Sequence, residues 1–394
     1  MLIAFIICFF SFVLSFIASK QKIFSPAVIT SGIWTFVLFF HLILDTNLNI
    51  LTDKFFLAIS IWVISFCFAS LLMQSLYVNK SVIQPSKLAR NIFYYTSLIT
   101  LPFFLLKVYE ISNMGISSNW MTAMRLVTVG AVKKVDMEET SPFYVIIWFV
   151  SYLIELYNYS KENRKRVFVL LAIYLFFAFA TMSKTNFLTL FFGSAFILYT
   201  KKIFKLKHLI IGIAGLIIIF LAIQSLRTTS KENKNHYVHD MITLYILSPD
   251  AAFETIKPAS SYYYGENVFR SYYALKYKLG YSRDKPIKII LEFVNVGVFT
   301  NTYTILYPFY KDFGITGVLI WGIVLGLFMG YIYSNGESGN LMLMLFYSFI
   351  IPQIIMQFAG EFFLTNISLN IKQFIILCIP FLITKYNLFS RNKI

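Results

Sequence analysis

The residues best suited to chemistry in this 394-residue chain are arginines, tyrosines and carboxylates gathered in one polar stretch, residues 226–313. The stretch holds eleven Lys/Arg against eight Asp/Glu, and twelve of the chain's 26 tyrosines, from Tyr237 to Tyr310. Cations beside aromatic faces suit a ligand that is anionic at one end and sugar-like at the other. A guanidinium fork matches phosphate oxygens two at a time, which an ammonium cannot do. Arg227 and Arg270 lie in this stretch, and Arg125 lies in an earlier polar segment, 110–141. Each has two readings: a fork for a pyrophosphate, or an interfacial anchor that snorkels to lipid phosphate. Lys184 stands at the tip of a hairpin whose apolar arms, 167–181 and 186–200, are barely long enough to cross a bilayer. A cation held at depth is by default a functional candidate. The runs Tyr262-Tyr263-Tyr264 and Tyr272-Tyr273 read as an interfacial belt or as platforms for sugar stacking.

Several familiar chemistries are missing. There is no carboxylate pair at a diagnostic spacing, no Gly-rich phosphate loop and no Gly-x-Ser-x-Gly elbow. His236 and His239 are three residues apart, but without a third ligand they read as a solvated pair. Cys8, Cys67 and Cys378 all fall in apolar runs, which excludes a disulfide framework and a cysteine-based zinc motif. A magnesium site wants carboxylates close together, and the polar segments offer no adjacent pair, so the expectation is a reaction without metal or other cofactor. The counter-reading folds Asp45 or Asp53 beside Asp136 or Glu138.

The elements that must position these residues are membrane spans. The chain is 58% hydrophobic and 13% charged, where a soluble domain averages about 25% charged. Apolar runs of bilayer length recur throughout, so the fold class is all-α and polytopic. Eleven spans are expected: 1–18, 26–44, 55–77, 91–109, 142–160, 167–181, 186–200, 208–225, 314–333, 341–358 and 371–386. Residues 1–225 then carry eight spans and the loop 110–141, residues 226–313 form one large loop with the candidate active site, and 314–394 carry three spans and a cytoplasmic tail. The dense basic connectors Lys20/Lys22, Lys80–Arg90, Lys161–Arg166, Lys201–Lys207 and Arg391/Lys393 fall on one side if the N-terminus is outside and the C-terminus inside. The net charge of +16 therefore points to a lipid bilayer rather than to nucleic acid. Residues 226–313 and 110–141 would face outward together.

Within the large loop the apolar spacing of 238, 241, 242 and 245 predicts an amphipathic helix over 238–247. Ser248-Pro249-Asp250 reads as the N-cap and first turn of a second helix, 250–257. A third is predicted over 270–279, with Arg270 and Tyr273 on one face, and a short one over 121–129. Helices of this kind could lie in the outer interface. Gly322, Gly326 and Gly330 form a small-residue row on span nine, read as a packing face.

Two segments of the loop resemble a known family. Asn301-Thr302-Tyr303-Thr304 followed by Tyr307-Pro308-Phe309-Tyr310-Lys311-Asp312-Phe313-Gly314-Ile315-Thr316-Gly317 is similar to the end of the large outer loop in bacterial O-antigen polymerases, the oligosaccharide repeat-unit polymerases. Tyr264-Gly265-Glu266-Asn267-Val268-Phe269 resembles another part of that loop, as do the places of Arg227 and Arg125. The layout of spans and loop covers nearly the whole chain. The chain departs from the pattern in spacing, with nine residues between Arg270 and Gly280, and it carries Asn301 near where the related ligases have a histidine. The resemblance implies a glycosyltransferase-C-like membrane enzyme that joins undecaprenyl-pyrophosphate-linked oligosaccharides at the periplasmic face of the inner membrane. The loop's own chemistry fits that reaction: Arg227, Arg270 and Arg125 would hold the departing pyrophosphate, and a carboxylate such as Asp240, Asp250 or Glu254 would accept the attacking hydroxyl's proton. Tyr264, Tyr273, Tyr303, Tyr307 and Tyr310, with Asn301 and Lys184, would line the substrate path. A flippase and a chain-length regulator would be its partners. The rival readings are a ligase-like transferase and a lipid-linked oligosaccharide flippase, the latter expected to carry charges within its spans.

Overall fold

The computed structural model describes residues 1–76, 83–132, 140, 142–227, 237–258, 264–288 and 291–391. It is built from helices: α1 Leu2–Ala18, α2 Pro26–Ile43, α3 Asp53–Ser75, α4 Lys87–Ser112, α5 Trp120–Thr128, α6 Tyr144–Tyr157, α7 Arg164–Ala180, α8 Lys184–Thr200, α9 Leu206–Arg227, α10 Tyr237–Ile242, α11 Ser248–Glu254, α12 Arg270–Lys278, α13 Leu306–Glu337, α14 Leu341–Ile355 and α15 Ile367–Arg391. A two-stranded antiparallel hairpin, β1 Val294–Asn295 and β2 Phe299–Thr300, precedes α13. Among the described residues seven helices are long and apolar enough to cross a membrane: α2, α3, α4, α9, α13, α14 and α15. Helices α1 and α6 are apolar but shorter. Helices α7 and α8, 17 residues each, reach about 25 Å, short of a hydrocarbon core of about 30 Å. The chain is an all-α, polytopic membrane protein.

Helix boundaries follow local chemistry. Thr52 Oγ1 accepts from Lys54 N at the start of α3, Ser86 Oγ from Ala89 N at α4, and Asn119 Oδ1 from Met121 N at α5. Each satisfies a backbone donor that the first helical turn leaves without a partner. Helix α13 is broken at Gly314, which sits at φ 63° and ψ −151°. That backbone is reached routinely only by glycine, so the break falls where the apolar run begins.

The chain forms two compact units. The first contains residues 1–79, 232–335 and 353–370; the second contains 80–231, 336–352 and 371–394. In the first, α1, α2 and α3 pack on one another. A Cβ on Gly322, Gly326 or Gly330 of α13 would collide with Ser65, Phe66 or Ser70 of α3, so the glycine row is a close packing face. In the second, α6 is the most enclosed helix, with Trp148, Phe149, Val150 and Leu153 buried. Its Glu155 accepts both Nε and Nη2 of Arg90, at 3.0 and 2.6 Å, and Nδ2 of Asn163 at 2.8 Å.

Two local expectations are corrected. Ser248 is no N-cap: Tyr237–Glu254 runs as one helical segment through a π turn at Thr243–Leu247, and Ser248 Oγ donates back to Leu244 O at 2.6 Å. Helix α11 is also no interfacial helix, because Ser248–Phe253 are all buried, and it ends at Glu254 rather than at 257. Arg227 is the last residue of α9, three residues past the end of its apolar span at Gln224.

Candidate functional site

The first unit gathers most of the loop residues that could do chemistry, around three seats. One is α11, which docks on the C-terminal end of α2 and the N-terminal end of α3. Lys54 Nζ caps the C-terminus of α11, donating to Phe253 O, Glu254 O and Ile256 O at 3.1, 2.8 and 2.6 Å. The same ammonium stands 5.1 Å from the Phe253 ring centre and 5.3 Å from that of Tyr310. Glu254 answers by accepting Thr52 N at 2.8 Å and Thr52 Oγ1 at 2.9 Å. Between them Asp250 is fully buried, its Oδ2 lying 2.9 Å from His41 Nε2 on α2. Its other oxygen, Oδ1, is buried without a hydrogen-bond partner among the described residues. Burial pushes the Asp250 carboxyl up to about 6, against the opposing pull of His41. His41 retains some exposure, 9% of its side chain, so the pair runs from the interior toward the surface.

The second seat joins the two loop motifs. Asp312, at the end of the first part of α13, accepts Asn267 N at 2.9 Å and Val268 N at 2.8 Å through Oδ2, and Asn267 Nδ2 through Oδ1. Residues 45 positions apart are thereby fixed to each other. Tyr264 stacks edge-on against Phe313, ring centres 5.0 Å apart, and Phe269 meets Trp321 at 5.9 Å. Gly265 has φ 75°, and a Cβ there would press on Phe269. Glu266 follows directly; burial and then Asp312 raise its carboxyl, with Lys311 opposing.

The third seat is Gln357, in the 3-10 turn Met356–Phe358 after α14. Its Oε1 accepts Trp34 Nε1 at 3.2 Å and Trp62 Nε1 at 3.0 Å, its Nε2 donates to Thr30 Oγ1 at 2.8 Å, and its carbonyl accepts Ile305 N at 2.8 Å. One buried amide thus ties α2 and α3 to the start of α13. Nearby, the Glu361 carboxylate accepts the backbone N–H groups of Phe363, Leu364 and Thr365, and burial raises it.

These seats form one neighbourhood. Phe253 of α11 meets Tyr310 of α13 at 5.0 Å between ring centres, and Trp62 stacks on Phe309 at 5.5 Å. Tyr303 and Tyr307 pack at 4.9 Å, and Tyr303 Oη donates to Glu292 O. Asn301 is half-buried beside them in sequence. Tyr273 Oη donates to Tyr264 O at 2.9 Å, and Arg270 Nε to Ile287 O at 2.9 Å. Asp240 is largely exposed, its Oδ1 3.5 Å from His239 Nδ1, while His239 Nε2 lies 3.0 Å from Asp45 O. His236, Tyr262, Tyr263, Asp136 and Glu138 lie outside the described residues. Among the described residues no three His, Cys, Asp or Glu side chains stand close enough to hold a metal ion.

Arg125, Arg227 and Lys184 belong to the second unit. Arg125 is half-buried on α5. Lys184 opens α8 and donates to Gln224 Oε1 at 3.2 Å, with the Phe220 ring centre 5.9 Å away. Sequence reasoning passed over His41, Lys54 and Gln357. The available signal for His41 was its position: an ionisable side chain near the end of an apolar span.

The comparisons with known proteins agree on one family. The profile described as "Putative O-antigen polymerase" matches residues 2–358. An O-antigen polymerase of Shigella dysenteriae is 27% identical over 224 residues, which cover 56% of this chain and 57% of that protein. The chain thus matches a little over half the length of that relative. No solved structure matches.

Proposed function

The chain belongs to the O-antigen polymerase family, and on that premise we propose that it polymerises undecaprenyl-pyrophosphate-linked oligosaccharide repeat units at the periplasmic face of the inner membrane. In each cycle the bond between the growing glycan's anomeric carbon and its carrier's phosphate oxygen breaks. A new bond forms from that carbon to a hydroxyl oxygen of the incoming unit, the hydroxyl proton passes to a protein base, and the carrier pyrophosphate departs. The observation that carries this reading is the junction at Asp312. The two segments by which the chain resembles repeat-unit polymerases, 264–269 and 301–317, are fastened together there, with Tyr303, Tyr307 and Arg270 close by in the same unit.

The residue roles follow from the site's chemistry. Of the three loop carboxylates considered as bases, Glu254 is occupied by Thr52 and Asp240 is solvated. Asp250 is buried, carries an unpartnered oxygen and is coupled to an imidazole. His41 would take the hydroxyl proton while Asp250 orients the ring and balances its charge, the division of labour of carboxylate–histidine pairs elsewhere. Arg270 in the first unit, and Arg125 and Arg227 in the second, are each candidates to neutralise the leaving pyrophosphate, a role that would let the reaction run without a divalent metal. Tyr264, Tyr273, Tyr303, Tyr307, Tyr310 and Asn301 would line the glycan path, and Lys184 would meet the carrier. The reading takes eleven spans, N-terminus outside and C-terminus inside, with a flippase supplying repeat units and a chain-length regulator setting when growth stops.

Purified protein given a lipid-linked repeat unit should produce a ladder of longer lipid-linked glycans, equally with EDTA and with added magnesium. Translocation of the unit without a ladder would make it a flippase. Transfer to a lipid A core acceptor without chain growth would make it a ligase. Abolition by EDTA and rescue by magnesium would move the charge-neutralising role from the arginines to a metal.

A further inference from the structure

Helix α12 buries none of its side chains. At 100° per residue Tyr272, Leu275 and Leu279 fall on one face, and they are 61%, 55% and 60% exposed. Lys276 and Lys278 flank that face, and Arg283, Lys285 and Lys288 follow, against a single acid, Asp284. The other side of the helix is tied down, through Arg270 to Ile287 O and through Tyr273 to Tyr264 O. The helix is therefore held from behind while its apolar face points away from the protein.

Where the helix begins decides what covers that face. Phe269, the residue before it, packs on Trp321. Trp321 lies seven residues past the break at Gly314, about 10 Å along the membrane-crossing part of α13. Leu319, Ile320 and Ile323 of the same helix are exposed, the surface that a span turns toward acyl chains. The apolar face of α12 thus starts beside the outer part of the membrane-crossing helix, the one that carries those exposed side chains. An apolar face bordered by cations at that level has the make-up of an interfacial helix, and its ammonium and guanidinium groups complement phosphate headgroups.

We propose that α12 lies in the membrane interface beside α13, with Tyr272, Leu275 and Leu279 among the lipid chains and Lys276, Lys278, Arg283, Lys285 and Lys288 against anionic phospholipid headgroups. This surface binds the bilayer and does not depend on the glycosyl-transfer reading. Because α12 follows directly from the segment 264–269, its seating in lipid fixes the height of that segment above the membrane.

The test uses the full chain in vesicles of phosphatidylcholine, with and without phosphatidylglycerol. Nitroxide labels are placed one at a time through Leu275→Cys, Leu279→Cys, Arg283→Cys and, as the lipid-facing reference, Ile320→Cys. Collisions with oxygen should exceed those with a water-soluble nickel chelate at 275 and 279, as at 320, and the order should reverse at 283. Phosphatidylglycerol should deepen the protection at 275, and Lys276→Gln with Lys278→Gln, Lys285→Gln and Lys288→Gln should erase that gain; each cation near an anionic surface is worth about a fivefold preference. Chelate-accessible labels at 275 and 279 beside a protected 320 overturn the proposal and leave the face to water or to a protein partner. Protection that is equal in both vesicles and indifferent to the four substitutions overturns the headgroup contact.

Discussion

Asp250 and Asp312 are both buried aspartates of the first unit, both set where the large loop meets a helix, and the protein solvates them in opposite ways. Asp312 spends both oxygens on three neutral donors, the backbone N–H groups of Asn267 and Val268 and the Asn267 side chain. Asp250 has a histidine on one oxygen and, among the described residues, no partner on the other. A carboxylate with its full set of N–H donors is a fastener: burial raises it, the donors from Asn267 and Val268 oppose that rise, and none of those donors is a group that titrates. A carboxylate pushed up to about 6 and coupled to an imidazole holds a proton that ordinary pH can move. Burial is common to both, so burial does not separate a structural acid from a reactive one; the kind of partner does.

The largest effect that would break this contrast is at Asp250. Asp250→Asn keeps the shape and removes the charge that steadies His41, and turnover should fall by roughly a hundredfold to ten-thousandfold, the range for loss of general base function. The folded protein should survive, as a neutral amide suits a buried site. Initial rates of ladder formation at matched protein level measure the loss; a rate within a few fold of the parent removes the pair from the chemistry. Next in size is Asp312→Asn. An amide puts its own N–H₂ toward three donors, and losing charge-assisted bonds in a buried site costs about 2–4 kcal/mol. The expected outcome is a lower melting temperature and earlier proteolysis near residues 264–269; an unchanged melting temperature would mean the junction fastens nothing.

Much of this architecture could be read in the chain, because a span announces itself by apolar length alone. The start of the apolar run at Gly314, the glycine row on α13, and helices α5 and α12 each fall within a residue of expectation, whereas the helical segment before Gly314 reads as loop in the sequence. What stayed hidden depends on partners distant in sequence. Asn267 and Asp312 are 45 residues apart, and nothing local marks either as the other's mate. Ser248 has the residue type and neighbours of an N-cap, yet the preceding π turn keeps the backbone helical and turns its hydroxyl back to Leu244 O. His41 sits in a run of leucines and phenylalanines, where a lone histidine has no visible partner until α11 is brought to it. Arg125, Arg227 and Arg270 read alike in sequence, and their division between two units is a property of the folded chain.

Smaller effects sharpen the contrast. Turnover should decline about tenfold per pH unit below pH 6, as the Asp250 carboxyl takes up a proton. Stability runs the other way. A carboxyl raised by burial favours the folded state while neutral, so acidification toward pH 5 keeps α11 seated, and ionisation as the pH rises through about 6 is the step that costs folding energy. A pH–rate profile and a pH–melting profile that fall together would merge the two aspartates into one structural class. The smallest change is Gly314→Ala, which forces a left-handed backbone on a residue with a Cβ and costs about 1–2 kcal/mol. It should lower the melting temperature by a few degrees, with turnover per folded molecule nearly unchanged.

The most direct test takes Asp250→Asn and Asp312→Asn through one experiment, the rate of lipid-linked glycan elongation per folded molecule alongside the melting temperature of each. The outcome expected is a crossing pattern: Asp250→Asn melts no earlier than the parent and elongates at least about a hundredfold more slowly, whereas Asp312→Asn melts early and its remaining folded molecules still elongate. A ladder from Asp250→Asn at the parent rate, or a folded Asp312→Asn that is catalytically dead, would contradict the assignment of proton transfer to one aspartate and of fastening to the other.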